Sequence, residues 1–178
     1  TPGMGKDLYE AFPVFRGTFD QVDPTGRYRE LCFNGTAEDL ADTRNTQPCL
    51  VALEVSLAAL MESEGLPPSL PFGLSLGAYA ALASAGAFTP EEAVRAVAFR
   101  AQAMADATEA CNQPFAMMAI LGLTEEQVRE ACAVAAPAGY VTPTNFNCPG
   151  QIVISGEKAA VEAAVAAADD LGAKRCMP

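Results

Sequence analysis

The stretch Gly73-Leu74-Ser75-Leu76-Gly77 reads as G-x-S-x-G, and it constrains the fold more than any other part of the chain. A serine in this setting calls for a strand that arrives, a tight turn and a helix that leaves, so that the strained turn projects Oγ into open space. The small-residue run Ala78 to Ala85, closed by Gly86, supplies the helix and reads as one packed inside a fold. Leu70-Pro71-Phe72 stands where the strand should be, although Pro71 cannot donate to a ladder. Because Leu76 opens the helix, its N–H lacks an intrahelical partner and is a candidate oxyanion donor. A serine hydroxyl is a weak nucleophile until a base takes its proton, and the 178 residues contain no histidine.

Composition removes several function classes. With 22 acidic against 11 basic residues the formal charge is -11, which argues against nucleic acid, since phosphate binding needs clustered Lys and Arg. Apolar residues make up 51% of the chain, but Gly, Pro, Ser and Asn interrupt them before any run reaches the roughly 18 residues of a membrane span. The segment from Thr1 to Tyr9 has no basic n-region followed by an apolar run, so a cytoplasmic protein is expected. Six cysteines at wide spacings, with no C-x-x-C and no histidine, point to reduced, mostly buried thiols and to no metal site.

Along the chain, residues 5 to 33 read as short surface-packed helices broken by the turn Asp23-Pro24-Thr25-Gly26, with Arg27-Tyr28-Arg29 on a solvated face. Thr46-Gln47-Pro48 precedes an amphipathic helix over 49–64, carrying Leu50, Leu53, Leu57, Leu60 and Met61. Thr89-Pro90-Glu91-Glu92 is a capping-box start for a third helix. On that helix Arg95 falls beside Glu91 and Glu92, where an exposed ion pair explains it. Arg100 shares the apolar stripe of Ala93, Ala96, Val97, Ala103, Met104 and Ala107, so it serves either an internal salt bridge or a clamp for an anionic substrate.

From Phe115 the pattern becomes strand over 116–123, helix over 124–135, strands over 140–144 and 151–155, helix over 157–171 and strand over 173–177. This β-α-β-β-α-β order predicts a ferredoxin-like subdomain, with a boundary near Asn112 to Pro114 that divides the chain into 1–112 and 113–178. Asn145-Phe146-Asn147-Cys148-Pro149-Gly150 reads as a polar hairpin turn between the two middle strands.

Taken together, Gly3-Met4-Gly5 before Asp7-Leu8-Tyr9, T-R-N-T-Q-P-C-L from Thr43 to Leu50, the Gly73 to Gly77 elbow, Phe99-Arg100, N-F-N-C-P-G-Q-I-V-I-S-G from Asn145 to Gly156 and Gly172-Ala173-Lys174-Arg175 resemble the bacterial malonyl-CoA:acyl carrier protein transacylases over nearly the whole chain. The resemblance implies an α/β fold, in which a larger α/β-hydrolase-like part carries the ferredoxin-like subdomain. It also implies a ping-pong transfer of malonyl from CoA, through an acyl-serine, to the phosphopantetheine thiol of acyl carrier protein in fatty acid biosynthesis, with no bound cofactor and no metal. By the same resemblance Ser75 is the nucleophile, the Leu76 N–H an oxyanion donor and Arg100 the partner of the malonyl carboxylate. Asn145 and Asn147 line the cleft, and Lys174 with Arg175 meets the carrier protein or CoA phosphates.

Three features depart from the family. Its G-Q-G-S-Q loop and its catalytic histidine have no counterpart here, and Ala78 stands where glutamate is usual. The sequence therefore reads as a fragment lacking the first strand and the last sheet strands, incomplete for catalysis by itself. A polyketide-synthase-type acyltransferase, a serine esterase and a non-catalytic carrier-protein or CoA-binding fragment are the alternatives.

Overall fold

The computed structural model describes residues 1–111 and 113–177. It is a mixed α/β chain that divides into two compact units, Thr1–Ala107 and Thr108 onward. The division falls inside a helix, whereas the sequence-based boundary begins at Asn112, which lies outside the described residues.

The first unit contains α1 (Lys6–Ala11), α2 (Pro13–Val22), α3 (Arg27–Asn34), α4 (Thr43–Ser63), α5 (Gly77–Ser84) and most of α6 (Pro90–Ala110). Its core is built around Phe15 and Phe19 of α2 and Cys49, Val51, Ala52 and Val55 of α4, with Val94 and Val97 of α6. The turn expected over Asp23 to Gly26 is present, closed by Gly26 N–H to Asp23 O at 2.9 Å, and its aspartate also caps the next helix. Buried Asp23 accepts from the Arg29 N–H at 2.8 Å and from Thr25 Oγ1 at 3.2 Å, and Gly26 takes φ 70° to start α3. Arg29 is not on a fully solvated face: it bonds Asp20 at 2.7 Å and the Tyr9 hydroxyl at 3.0 Å.

Several expectations need correction here. The long helix starts at Thr43, six residues before Cys49, because Asp42 caps it through the Arg44 N–H at 2.8 Å. Pro48 therefore lies inside α4, where it gives up only one i to i−4 bond near the N-terminal end. Leu70-Pro71-Phe72 forms no strand, and no strand occurs among the described residues of the first unit. Leu70 and Phe72 are 79% and 88% exposed, and Leu74 is exposed with them. The reason lies partly in Pro71, which has no N–H for a ladder. Nor is α5 packed inside: none of its residues is buried, and its small side chains leave it half-covered. Three of the six free thiols are buried, Cys32, Cys49 and Cys132, while Cys111 and Cys148 are exposed.

The second unit runs β1 (Phe115–Leu121), α7 (Glu125–Ala135), β2 (Val141–Cys148), β3 (Gln151–Glu157), α8 (Lys158–Asp170) and β4 (Arg175–Met177). The sheet is antiparallel throughout, with spatial order β2-β3-β1-β4. One face buries Ile120, Ile152 and Ile154 against Val128, Ala131, Val161 and Ala164 of the two helices. Thr124 opens α7 with a complete capping box, as its sequence predicts. The hairpin is tighter than the sequence suggests. The strand β2 continues through Cys148, the ladder shifts register between Pro143 and Asn145 and again between Phe146 and Cys148, and only Pro149-Gly150 turns.

Candidate active site

Within the first unit, Ser75 is held at φ 51°, the one positive φ on a non-glycine residue among those described. This left-handed conformation costs an L-residue about 1–2 kcal/mol, so the turn is a strained one of the kind an elbow requires. A Cβ on Gly73 would run into the carbonyl group of Gly77, so the chain can double back here only without a side chain. Gly77 itself has open space where a Cβ would lie. Close backbone approach therefore demands a glycine at 73 but not at 77.

The first turn of α5 is closed by Gly77 N–H to Leu74 O at 3.1 Å, Ala78 N–H to Ser75 O at 3.3 Å and Tyr79 N–H to Leu76 O at 3.1 Å. The Leu76 N–H takes part in no hydrogen bond among the described residues and remains available, as helix starts leave their first amides.

Arg100 reaches the same point from α6. Its Nη2 donates to Ser75 Oγ at 2.9 Å and its Nη1 donates to Gln47 Oε1. The buried stripe of α6 is Ala93, Val94, Val97, Ala101 and Ala105, so Arg100 sits at the stripe's edge rather than on it, and Ala103, Met104 and Ala107 are exposed. No carboxylate pairs with Arg100 among the described residues, which removes the internal salt bridge as its explanation. Arg95 is exposed and forms no ion pair with Glu91 or Glu92; Glu91 instead accepts from Gln21, and Glu92 closes the capping box on Thr89.

A groove of about 890 Å³ opens beside this point, lined by Tyr79, Phe88, Ala96, Phe99, Arg95 and Arg100 among others. Aromatic and methyl groups share its wall with the guanidinium groups of Arg95 and Arg100 and the carboxylate of Glu92, so cationic groups stand beside an apolar lining. A guanidinium has five N–H donors and no acceptor, so in its bond to Ser75 Arg100 is the donor and cannot be a base for Oγ.

The residue that sequence reasoning missed is Gln47. The sequence reading sets it ahead of the helix with Thr46 and Pro48, yet it lies within α4 and is 6% exposed. Its signal was the pairing of Asp42 with Arg44 N–H, a cap that moves the helix start upstream of the proline.

In the second unit, Asn145 is half-buried opposite Val153, and Asn147 is exposed where the β2 register shifts. Lys174 and Arg175 are exposed at the start of β4; the Lys174 stem lies over Gly122, whose φ of 92° and lack of a side chain make room for it. Among the described residues no group of side chains could hold a metal ion, and no helix is long and apolar enough to cross a membrane.

A serine held at a strained turn, an amide without a partner among the described residues and an arginine on the serine hydroxyl meet at this point. The chain belongs to the acyl transferase domain family, which it matches over residues 2–176. It is 40% identical to the malonyl CoA-acyl carrier protein transacylase of Bacillus subtilis, covering 99% of this chain and 56% of that protein. With the Escherichia coli enzyme of the same name it shares 39% identity, over 100% of this chain and 58% of that one. Among solved structures, a malonyl-transacylase in complex with a type II PKS acyl-carrier protein superposes with TM-score 0.90 at 40% identity, over 100% of this chain and 58% of that one. The Coxiella burnetii malonyl CoA-acyl carrier protein transacylase gives 0.90 at 37% identity, over 99% of this chain and 56% of that one. The chain thus spans a little over half the length of the relatives it matches.

Proposed function

We propose that this chain carries the nucleophile and the carboxylate receptor of an acyltransferase that moves malonyl from CoA to the phosphopantetheine thiol of acyl carrier protein, in fatty acid biosynthesis. The observation that carries the reading is the Arg100 guanidinium, which has no carboxylate partner among the described residues and donates to Ser75 Oγ. Malonyl-CoA differs from a simple acyl-CoA by one carboxylate, and a bidentate cation beside the nucleophile is what would select it.

In this scheme Ser75 Oγ attacks the thioester carbonyl while a base takes its proton. The resulting oxyanion accepts from the Leu76 N–H, CoA leaves as the thiolate, and malonyl remains on Oγ with its carboxylate against Arg100. The acceptor thiol then attacks the acyl-serine in the reverse sense. No resident cofactor takes part. The base is not among the described residues bonded to Ser75, and the 178 residues contain no histidine; the family resemblance assigns that role to a histidine.

The finer architecture follows the same reading. The strained elbow leading into α5 supports assigning the first unit to an α/β-hydrolase-like part, and the order β1, α7, β2, β3, α8, β4 with sheet order β2-β3-β1-β4 supports a ferredoxin-like second part. We assign Asn145 and Asn147 to the lining of the acyl cleft, and Lys174 and Arg175 to contact with CoA phosphates or the acidic carrier protein. A carrier protein of polyketide synthesis is the second acceptor to test, because the relative solved with a partner carries a type II PKS acyl-carrier protein.

Mass spectrometry of the intact gene product incubated with malonyl-CoA tests the proposal. One malonyl adduct on Ser75, absent in Ser75→Ala, is expected. Binding of CoA or carrier protein with no acyl-serine would overturn it in favour of a binding module.

A further inference from the structure

Resting on the reading of Arg100 as the carboxylate receptor, we infer that Gln47 is a positioning residue for malonyl selectivity: it anchors the guanidinium through a neutral oxygen, so that the charge of Arg100 is left for the substrate. A half-buried arginine is ordinarily held by a carboxylate, which fixes its place and cancels its charge together. Here the two tasks are separated. Gln47 Oε1 accepts from Arg100 Nη1, and the hydroxyl of Ser75 accepts from Nη2, neither bringing a negative charge.

The amide of Gln47 is fixed in the orientation that this requires. Its Nε2 donates to Thr43 Oγ1 at 2.6 Å, one turn earlier in α4, and to Met104 Sδ at 3.4 Å on α6. With both amide hydrogens directed at acceptors, the oxygen can face only the guanidinium. Gln47 is almost fully buried, and its bonds to Thr43 on α4 and Met104 on α6 hold the anchor in place. The three points Gln47, Arg100 and Ser75 come from α4, α6 and the elbow, and the side chain of Arg100 is the only link among them that bears a charge.

Chemistry then distinguishes glutamine from its isostere. Glutamate at this position would accept from Arg100 in the same place and could accept from Thr43, but its charge would satisfy the guanidinium and compete with the malonyl carboxylate. Leucine, of similar size, would remove the acceptor and leave Arg100 without its anchor.

The deciding measurement is the ratio of Ser75 acylation rates with malonyl-CoA and acetyl-CoA, taken as kcat/KM on the intact gene product and on the Gln47→Glu, Gln47→Leu and Arg100→Ala variants. Gln47→Glu should lower the malonyl-to-acetyl ratio by about tenfold or more, the worth of a charge-assisted hydrogen bond. For Gln47→Leu the ratio should fall as well, through a raised KM for malonyl-CoA. A residue with a merely structural role would depress both donors alike and leave the ratio unmoved. Should Arg100→Ala lose the preference for malonyl while both Gln47 variants keep it, the role of Gln47 is overturned. An unchanged ratio in Arg100→Ala overturns the carboxylate-receptor reading instead. If Gln47→Glu does not fold, the ratio in Gln47→Leu decides alone.

Discussion

At the scale of single residues, the backbone at Ser75 sets a measurable strain. Ser75 at φ 51° should make Ser75→Gly more stable than Ser75→Ala by about 0.5–1 kcal/mol, since both lose the hydroxyl but only glycine relaxes the left-handed geometry. Urea denaturation of the two variants checks this, and equal midpoints would show an unstrained turn. Arg100→Ala should weaken malonyl transfer more than acetyl transfer, and loss of both to the same extent would remove the carboxylate-receptor role. Glu54, half-buried on α4 with Oε2 unpartnered, has its carboxyl pushed above the ordinary range by burial. The folded state therefore holds this proton to higher pH than the unfolded chain, and stability falls as pH rises through the raised value. Glu54→Gln should melt higher than the parent at pH 7, with the difference closing below the normal glutamate range; a constant difference across pH would reject this origin.

Elements were legible where the signal is local. The capping boxes at Thr89 and Thr124 are short-range hydrogen-bond patterns and appear where the sequence places them. Thr124→Ala should destabilise the second unit by about 1 kcal/mol, read from its denaturation midpoint. Where a residue has two roles the sequence misled. Pro48 reads as a helix breaker, yet the Asp42 cap places it inside α4 and brings Gln47 onto Arg100. Asn145 and Asn147 read as turn formers, and backbone pairing with β3 overrides that preference, with bulges absorbing the mismatch. Ser75 is marked in the sequence by its motif, whereas the helical period set Arg100 on a stripe of Ala103, Met104 and Ala107 that the structure leaves exposed. The anchor of that arginine was not marked, since a glutamine 53 residues away carries no periodic signal.

For the whole molecule, two separate cores imply two cooperative parts. Residues from Thr108 onward, expressed alone, should give a sigmoidal thermal transition by circular dichroism; a broad, featureless melt would show that the second core depends on the first. Leu70, Phe72 and Leu74, exposed and outside any helix or strand, carry a further consequence for how such a chain behaves as a colloid. Charge of -11 keeps copies apart at low ionic strength, while these apolar side chains draw them together on contact. Salt removes the first effect and leaves the second, because the screening length shrinks from about 10 Å at 0.1 M to about 3 Å at 1 M. Light scattering from the 178-residue chain should therefore rise with added salt, and Phe72→Lys should suppress the rise. In this chain the stretch that leads to Ser75 should also govern whether copies stay apart in solution.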